Sequence, residues 1–370
     1  MALRRDLFPV TQQCAFLNNA AESPLTSAFN ERLQGYLSLA LATPQSRPTT
    51  VRQEVRALLA ELLGGTPEEY ALMSSTAQGL NVVANGIDWR EGDNVVLPEE
   101  EHWNNVFPWL ALRERGVEVR FAPLEADRAV LPESIAALVD ARTRVVSAAH
   151  VSFSSGHRTD LGRLSALVKG KNEACLLVVD GIQAAGACPV NVVAAGVDVY
   201  AAGGFKWLLG MPGTGFLYVR SGAQGRIRPT SPGMFAADQA SVKALALHAD
   251  ARRYEGGSLA YSLFWAWTAG LAVLRELGAE RIFERNMALT GALLSGLAAK
   301  PHVQLLSPVK TVGERSQIVV VTLGSPERNS ECVARLLEAG VVVALRGGNI
   351  RISPNFYNNE EEVARLLELL

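Results

Sequence analysis

Leu176-Leu177-Val178-Val179-Asp180-Gly181-Ile182-Gln183 reads as an apolar strand that ends on a carboxylate. Four consecutive aliphatic residues suit a strand covered on both faces, as in a parallel sheet between two helical layers. In such an open sheet, ligands bind beyond the carboxyl ends of the strands. Asp180 stands at such an end with apolar sheet behind it, which costs free energy unless a cation partners it. The next apolar run, residues 197–201, leads into Gly203-Gly204-Phe205-Lys206-Trp207. Lys206 is thereby presented at the same sheet edge, on a loop whose glycines permit unusual backbone angles.

Working outward, short β-rich runs at 94–97, 118–121, 144–149, 176–180, 197–201 and 216–219 alternate with helix-length patterns at 103–115, 132–140, 161–169 and 183–195. That alternation predicts βαβ units and an α/β fold, with a mostly parallel seven-stranded-type sheet carrying helices on both faces. Only the Gly/Pro-rich turn 209–215 precedes residue 216, too short for a crossover helix, so the last strand should run antiparallel. Helices over 274–299 and 330–339, with strands at 317–323, 341–345 and 350–352, suggest a smaller C-terminal α+β domain. The expected division is an N-terminal segment 1–24, a large domain 25–255, and a linking helix with the small domain, 256–370.

Met73-Ser74-Ser75-Thr76-Ala77-Gln78 ends another strand and opens a helix. Free N–H groups and the dipole at a helix start favour a phosphate, with Ser75 or Thr76 as hydroxyl donor. Taken singly, these residues have simpler readings. Asp180 could cap a helix, Lys206 could be a solvated loop lysine, and Ser75 with Gln78 fits a capping box. Together they suit pyridoxal 5'-phosphate, which needs a lysine, an acid for its ring nitrogen and a phosphate anchor.

Composition narrows the alternatives. With 35 basic and 37 acidic residues and a net charge of -2, nothing favours nucleic acid or an anionic membrane as partner. Hydrophobic residues at 48% against 19% charged exclude general disorder. Cys14, Cys175, Cys188 and Cys332 are scattered and form no CxxC pair, so neither a metal site nor a disulfide framework is expected, and the chain reads as cytoplasmic. The uncharged run 256–274 approaches membrane-spanning length, but its glycines and hydroxyls and the lack of a basic loop bias point to a buried helix. A nicotinamide dehydrogenase would need GxGxxG after an early strand, and none is present.

The line Val179-Asp-Gly-Ile-Gln183-Ala-Ala-Gly186, with Gly-Phe-Lys206-Trp-Leu placing its lysine 26 residues after Asp180, resembles the class V aminotransferases. These are fold-type-I pyridoxal-phosphate enzymes that include cysteine desulfurases, kynureninase-like hydrolases, isopenicillin-N-epimerase-like proteins and true transaminases. The resemblance runs nearly end to end, through Leu17–Ala21, Glu101–Trp109, His150–Gly156, Tyr254–Ser258 and Ile350–Asn358. It implies Lys206 as the Schiff-base lysine and proton shuttle, Asp180 as partner of the ring nitrogen, and Gln183 as partner of the ring oxygen. His102 would stack on the ring, with Trp103 as its competitor. Ser75, Thr76 and Ala77 would hold the phosphate, and Ser258 would reach the phosphate of a neighbouring subunit in a homodimer with shared active sites. Arg351 would bind the carboxylate of a small amino-acid-like substrate, its planar fork matching both oxygens. Asn19, Phe153, His157, Arg158 and Arg346 would shape the substrate pocket.

Two departures stand out. Desulfurases carry a nucleophilic cysteine on a loop ahead of the arginine, whereas here that loop is Ala344-Leu-Arg-Gly-Gly-Asn349. The hydroxyl and imidazole they place before the lysine are replaced by Gly203 or Gly204 and Phe205, which suggests weaker cofactor binding. The expected activity is that of an aminotransferase, with β-elimination (C–S lysis) or epimerisation as alternatives of the same family. A non-catalytic protein that kept the fold is the alternative of another class.

Overall fold

The computed structural model describes residues 3–43, 49–238 and 243–370. The chain enters with a short strand, β1 (Ala15–Phe16), and two helices, α1 (Ser27–Ala42) and α2 (Val51–Leu63). It then runs β2 (Tyr70–Met73), α3 (Thr76–Gly86), β3 (Asn94–Pro98), α4 (Trp103–Leu110), β4 (Glu118–Ala122), α5 (Pro132–Ala137), β5 (Thr143–Ala149), α6 (Leu161–Lys171), β6 (Leu176–Asp180), β7 (Val199–Gly203) and β8 (Gly215–Val219). A short helix, α7 (Ser221–Gln224), and the ribbon of β9 (Ala237–Asp238) and β10 (Ala246–Leu247) lead to α8 (Tyr261–Leu277) and α9 (Ala279–Ala298). The remainder comprises β11 (Gln304–Leu305), β12 (Val319–Thr322), α10 (Pro326–Glu338), β13 (Val341–Val342), β14 (Ala344–Arg346), β15 (Asn349–Ile352) and α11 (Glu360–Leu369).

The central sheet has the order β2-β8-β7-β6-β5-β3-β4, and β8 alone runs against the rest, as the short turn before it required. Successive side chains of β6 point to opposite faces. Leu177 and Val179 therefore join the core beneath α2 and α8, and Leu176 and Val178 join the core on the other face, with Leu80 and Val83 of α3. Gly181 is required here, because a Cβ would lie 1.8 Å from the Tyr200 ring packed against the end of β6.

The uncharged run forms α8, which buries Phe264, Trp267, Leu271 and Leu274 against the large core and packs on α1 and α2. Fully burying each such side chain contributes roughly 1.5–3 kcal/mol. Among the described residues, no helix is long and apolar enough to cross a membrane.

Several expected elements differ. Residues 183–195 form turns rather than a helix, since Gly186 adopts φ +89° against the Trp207 carbonyl and Pro189 cannot continue a helix. The run 103–115 tightens into a 3-10 turn after Leu110, and the helix beginning at Pro132 stops at Ala137. The expected strand at 341–345 divides between two sheets. Val341 and Val342 pair with β1, whereas β14 pairs with β15.

The smaller sheet is antiparallel, in the order β11-β12-β15-β14, and its core gathers side chains from α9, α10 and α11. The hairpin 151–158, closed by a Val151/Arg158 bridge, leaves the end of β5 and reaches this sheet. Its Gly156 (φ +76°) sits so near the Ile318 carbonyl that a Cβ would lie 2.2 Å from that oxygen. The Ser316 hydroxyl donates to the Gly156 carbonyl at 2.6 Å.

Candidate active site

Thr76 begins α3 at the carboxyl end of β2, and its hydroxyl oxygen accepts from the Gly203 N–H at 2.9 Å, clamping the helix start to the end of β7. Ser75 caps the helix by accepting from the Gln78 N–H at 3.2 Å. The Gln78 side chain does not complete a capping box, because it accepts from the N–H and hydroxyl of Ser74. The first N–H groups of α3, at Thr76 and Ala77, have no intrahelical acceptor and carry the positive end of the helix dipole.

Asp180 and Lys206 face one cavity, which His102, Phe153, Gln183 and Thr76 also line. Asp180 is 3% exposed, and its carboxylate accepts from the Ile182 N–H at 3.0 Å. Burial pushes its carboxyl up to about 6, against the pull of Lys206. Burial brings the Lys206 ammonium down to about 8, opposed by Asp180 and reinforced by Arg351 and Arg346. No ion pair joins Asp180 to Lys206 among the described residues; they flank open space. Two buried opposite charges held apart call for a polar group between them. A pyridine ring with an aldehyde on the lysine side fits that description, and its phosphate fits the α3 start. The lowered Lys206 value gives a test without cofactor. Reductive methylation of the apoprotein by formaldehyde, followed residue by residue by mass spectrometry, should reach half its maximal rate at Lys206 near pH 8. Solvated lysines should lag by about two pH units.

Gln183 is buried. Its Nε2 donates to the Ala20 carbonyl at 3.0 Å, its Oε1 accepts from the Trp207 indole at 2.8 Å, and the second Nε2 hydrogen remains for the cavity. His102 caps α4, its Nδ1 accepting from the Asn104 N–H at 3.1 Å, and meets Phe153 edge to face at 5.0 Å. Burial, then the charges of Lys206, Arg346 and Arg351, bring its imidazole down to about 4, so it is neutral at neutral pH. Trp103 points away and is 62% exposed, so of the two candidates His102 is the one at the cavity.

Arg351 lies on β15, an interior strand of the small sheet, and is 2% exposed. Its Nη1 donates to the Phe153 carbonyl at 3.1 Å, while Nε and Nη2 are buried without a hydrogen-bond partner among the described residues. Burial, then Arg346, brings its guanidinium down to about 10. Register pairs Ala344 with Arg351 and Arg346 with Asn349, which places both arginines on one face of the hairpin. Arg346 is exposed.

Other expected residues are placed differently. The Asn19 amide is engaged in joining the chain ends, donating to the Ser353 carbonyl at 2.9 Å and accepting from the Tyr357 hydroxyl at 2.7 Å. It thereby holds the segment whose Ala20 carbonyl positions Gln183. His157 is not brought to the site. It pairs with Ser152 across the hairpin, on the face opposite Val151 and Phe153, and lines a separate cavity of about 940 Å³. Arg158 lines that separate cavity too. Ser258 is exposed ahead of α8 and does not line the cavity of its own chain. Sequence reasoning passed over Glu101, whose half-buried carboxylate lies at the end of β5 beside this site. Its position directly before His102 was the available signal.

The family model described as Aminotransferase class-V matches residues 15–366. A probable cysteine desulfurase of Methanothermobacter thermautotrophicus is 28% identical, covering 100% of this chain and 96% of its own. An uncharacterized aminotransferase, YcbU, of Bacillus subtilis is also 28% identical, over 98% of this chain and 95% of its own. Among solved structures, the cystine C–S lyase C-DES in complex with its reaction product cysteine persulfide superposes with a TM-score of 0.90 at 25% identity, covering 98% of each chain. A lysine variant of C-DES with glycine covalently linked to its PLP cofactor gives 0.91 at 25% identity, over 99% of this chain and 98% of its own. The chain belongs to the class V aminotransferase family of pyridoxal-phosphate-dependent enzymes.

Proposed function

We propose that this enzyme is a C–S lyase: it eliminates a sulfur-bearing group from Cβ of a cysteine- or cystine-like amino acid and releases the sulfur with the product. The observation that carries this reading is a buried guanidinium with two open nitrogens, beside a cavity that no thiol lines. Arg351 offers two unpartnered N–H-bearing nitrogens, and none of the four cysteines lines the cavity. Burial pushes Cys175 and Cys188 up to about 12, which leaves them inert at neutral pH. A desulfurase that holds sulfur on its own thiolate is therefore disfavoured. The kinship with a cystine lyase and a probable desulfurase supports sulfur chemistry over the transamination expected from the family at large.

Arg351 would take the α-carboxylate through Nε and Nη2. Arg346, on the same hairpin face, would meet a second carboxylate, which favours a disulfide amino acid with two. Lys206, with its lowered proton affinity, would take the proton from Cα. Asp180 would hold the ring nitrogen, Gln183 the ring oxygen, and the N–H groups of Thr76 and Ala77 the phosphate, with the Ser75 hydroxyl. Bound pyridoxal phosphate supplies a sink for the electron pair left at Cα. The Cα–H and Cβ–S bonds break, the sulfur leaves with its bonding electrons, and the unsaturated amine hydrolyses to keto acid and ammonia. Neutral His102 would cover the ring without repelling a protonated ring nitrogen. The proposal includes a cytoplasmic homodimer. It is supported by four free cysteines and by exposed Trp103 and Phe107 beside the site, with Ser258 free to serve a neighbour.

The test is a screen of amino acids, L-cysteine and L-cystine included, for keto acid, ammonia and released sulfur with and without a keto-acid acceptor. Acceptor-independent release from a sulfur amino acid is the expected result. Turnover only with an acceptor would replace elimination by transamination.

A further inference from the structure

The strands around the cofactor site end at different heights, and this leaves one backbone group without a strand partner. β3 pairs with β5 only as far as Val146, so the Ala149 N–H extends beyond it. The Glu101 side chain fills that place. Its Oε1 accepts from the Ala149 N–H at 2.7 Å, and its Oε2 accepts from the Asn105 amide at 3.0 Å. Asn105 in turn accepts from the Ser147 hydroxyl at 2.6 Å. Ala149 sits opposite Asp180 in the β5–β6 register and lines the cavity. Glu101 immediately precedes His102, the cap of α4. One carboxylate thus ties the start of α4, the end of β5 and the strand end that carries Asp180.

We infer that Glu101 is a positioning residue: by bridging Ala149 and Asn105 it fixes the height and tilt at which His102 lies over the cofactor. A leucine of similar volume would also have filled this space, so the choice of a carboxylate needs a reason beyond packing. Burying a charged group here is costly, and the site pushes the Glu101 carboxyl up to about 7, with Asp180 adding to the effect of burial. Two well-made hydrogen bonds offset that cost, because without them the buried Asn105 amide and the half-buried Ala149 N–H would each lose an acceptor. Loss of the tether should be felt at His102 and not at Arg351, which is held by a different sheet.

The experiment compares Glu101→Ala and Glu101→Gln with the parent holoenzyme. Glutamine keeps an acceptor for the Ala149 N–H, and Asn105 can rotate to accept from its amide. For Glu101→Ala we expect the visible circular dichroism of the bound cofactor to fall by about half or more and kcat by about 10-fold, with KM little changed. In the apoprotein, amide exchange at Asn104 and Asn105 should speed up by about 10-fold or more, with β6 and β7 unaltered. Glu101→Gln should restore most of the circular dichroism and the exchange protection. Unchanged circular dichroism and exchange in Glu101→Ala would overturn the inference. So would exchange that rises evenly across the sheet, which marks a purely structural role. If the alanine variant does not fold, Glu101→Asp carries the same readouts, since its shorter arm cannot reach both partners.

Discussion

Lys206→Ala is expected to lower kcat/KM by at least about 10⁴-fold, the joint loss of a covalent attachment and a positioned proton carrier. The fold should survive, because Lys206 makes no ion pair among the described residues and its burial already disfavours the charged form. Removing it also takes away the cation that faces Asp180 across the cavity, so the Asp180 carboxyl should rise further above 6. The measurement pairs turnover with the visible absorption of enzyme incubated with pyridoxal phosphate, then treated with borohydride. Parent protein should retain a reduced, covalently bound cofactor; the variant should release it on dialysis, with unchanged far-ultraviolet circular dichroism. Turnover in the variant within about 10-fold of the parent would show that another group moves the proton.

The second large effect concerns Arg351. Truncating one partner of a buried, hydrogen-bonded charge pair costs about 2–5 kcal/mol. Arg351→Met should therefore lower kcat/KM for an α-amino acid by about 10²- to 10³-fold, chiefly through KM. Activity toward a primary amine without a carboxylate should change little. Arg351→Lys should not rescue, because an ammonium offers no planar fork and cannot use the positions of Nε and Nη2. Stability should move the other way. In the free protein these two nitrogens are buried and unpartnered, and removing such a group relieves about 1–3 kcal/mol. A variant that melts higher and binds substrate far worse identifies Arg351 as a binding group maintained at the expense of stability. Equal loss toward amines with and without a carboxylate would refute the assignment.

Much of this architecture was legible because its determinants are local. A run such as Leu176–Asp180 can hardly avoid a doubly covered strand, and the short turn 209–215 left β8 no option but to reverse. The false helix at 183–195 was also legible in principle, since Gly186 and Pro189 both lie within it. What was not legible depends on partners far along the chain. Nothing near Asn19 announces that its amide faces Ser353 and Tyr357 rather than a substrate. His157 lost its expected place through the parity of a hairpin that no local pattern numbers. Arg351 could have been placed on a strand from sequence alone. Its two bare nitrogens could not, because they depend on the carboxylates that did not arrive beside it.

The pairing of β1 with β13 joins distant parts of the chain, and the bond between Asn19 and Ser353 spans 334 positions. At about 5–20 residues per second of synthesis, the first of them waits roughly 15–70 s for the second. During that interval the hydrophobic Ala15-Phe16-Leu17 edge has emerged from the ribosome with nothing to close it. Because the same segment supplies the Ala20 carbonyl that holds Gln183, the cofactor site is completed only after the last strands are made. A nascent chain lacking residues 341–357 should therefore contain both Lys206 and Asp180 and still be a poor trap for the cofactor, which makes the order of translation a timer on when this enzyme can first be loaded.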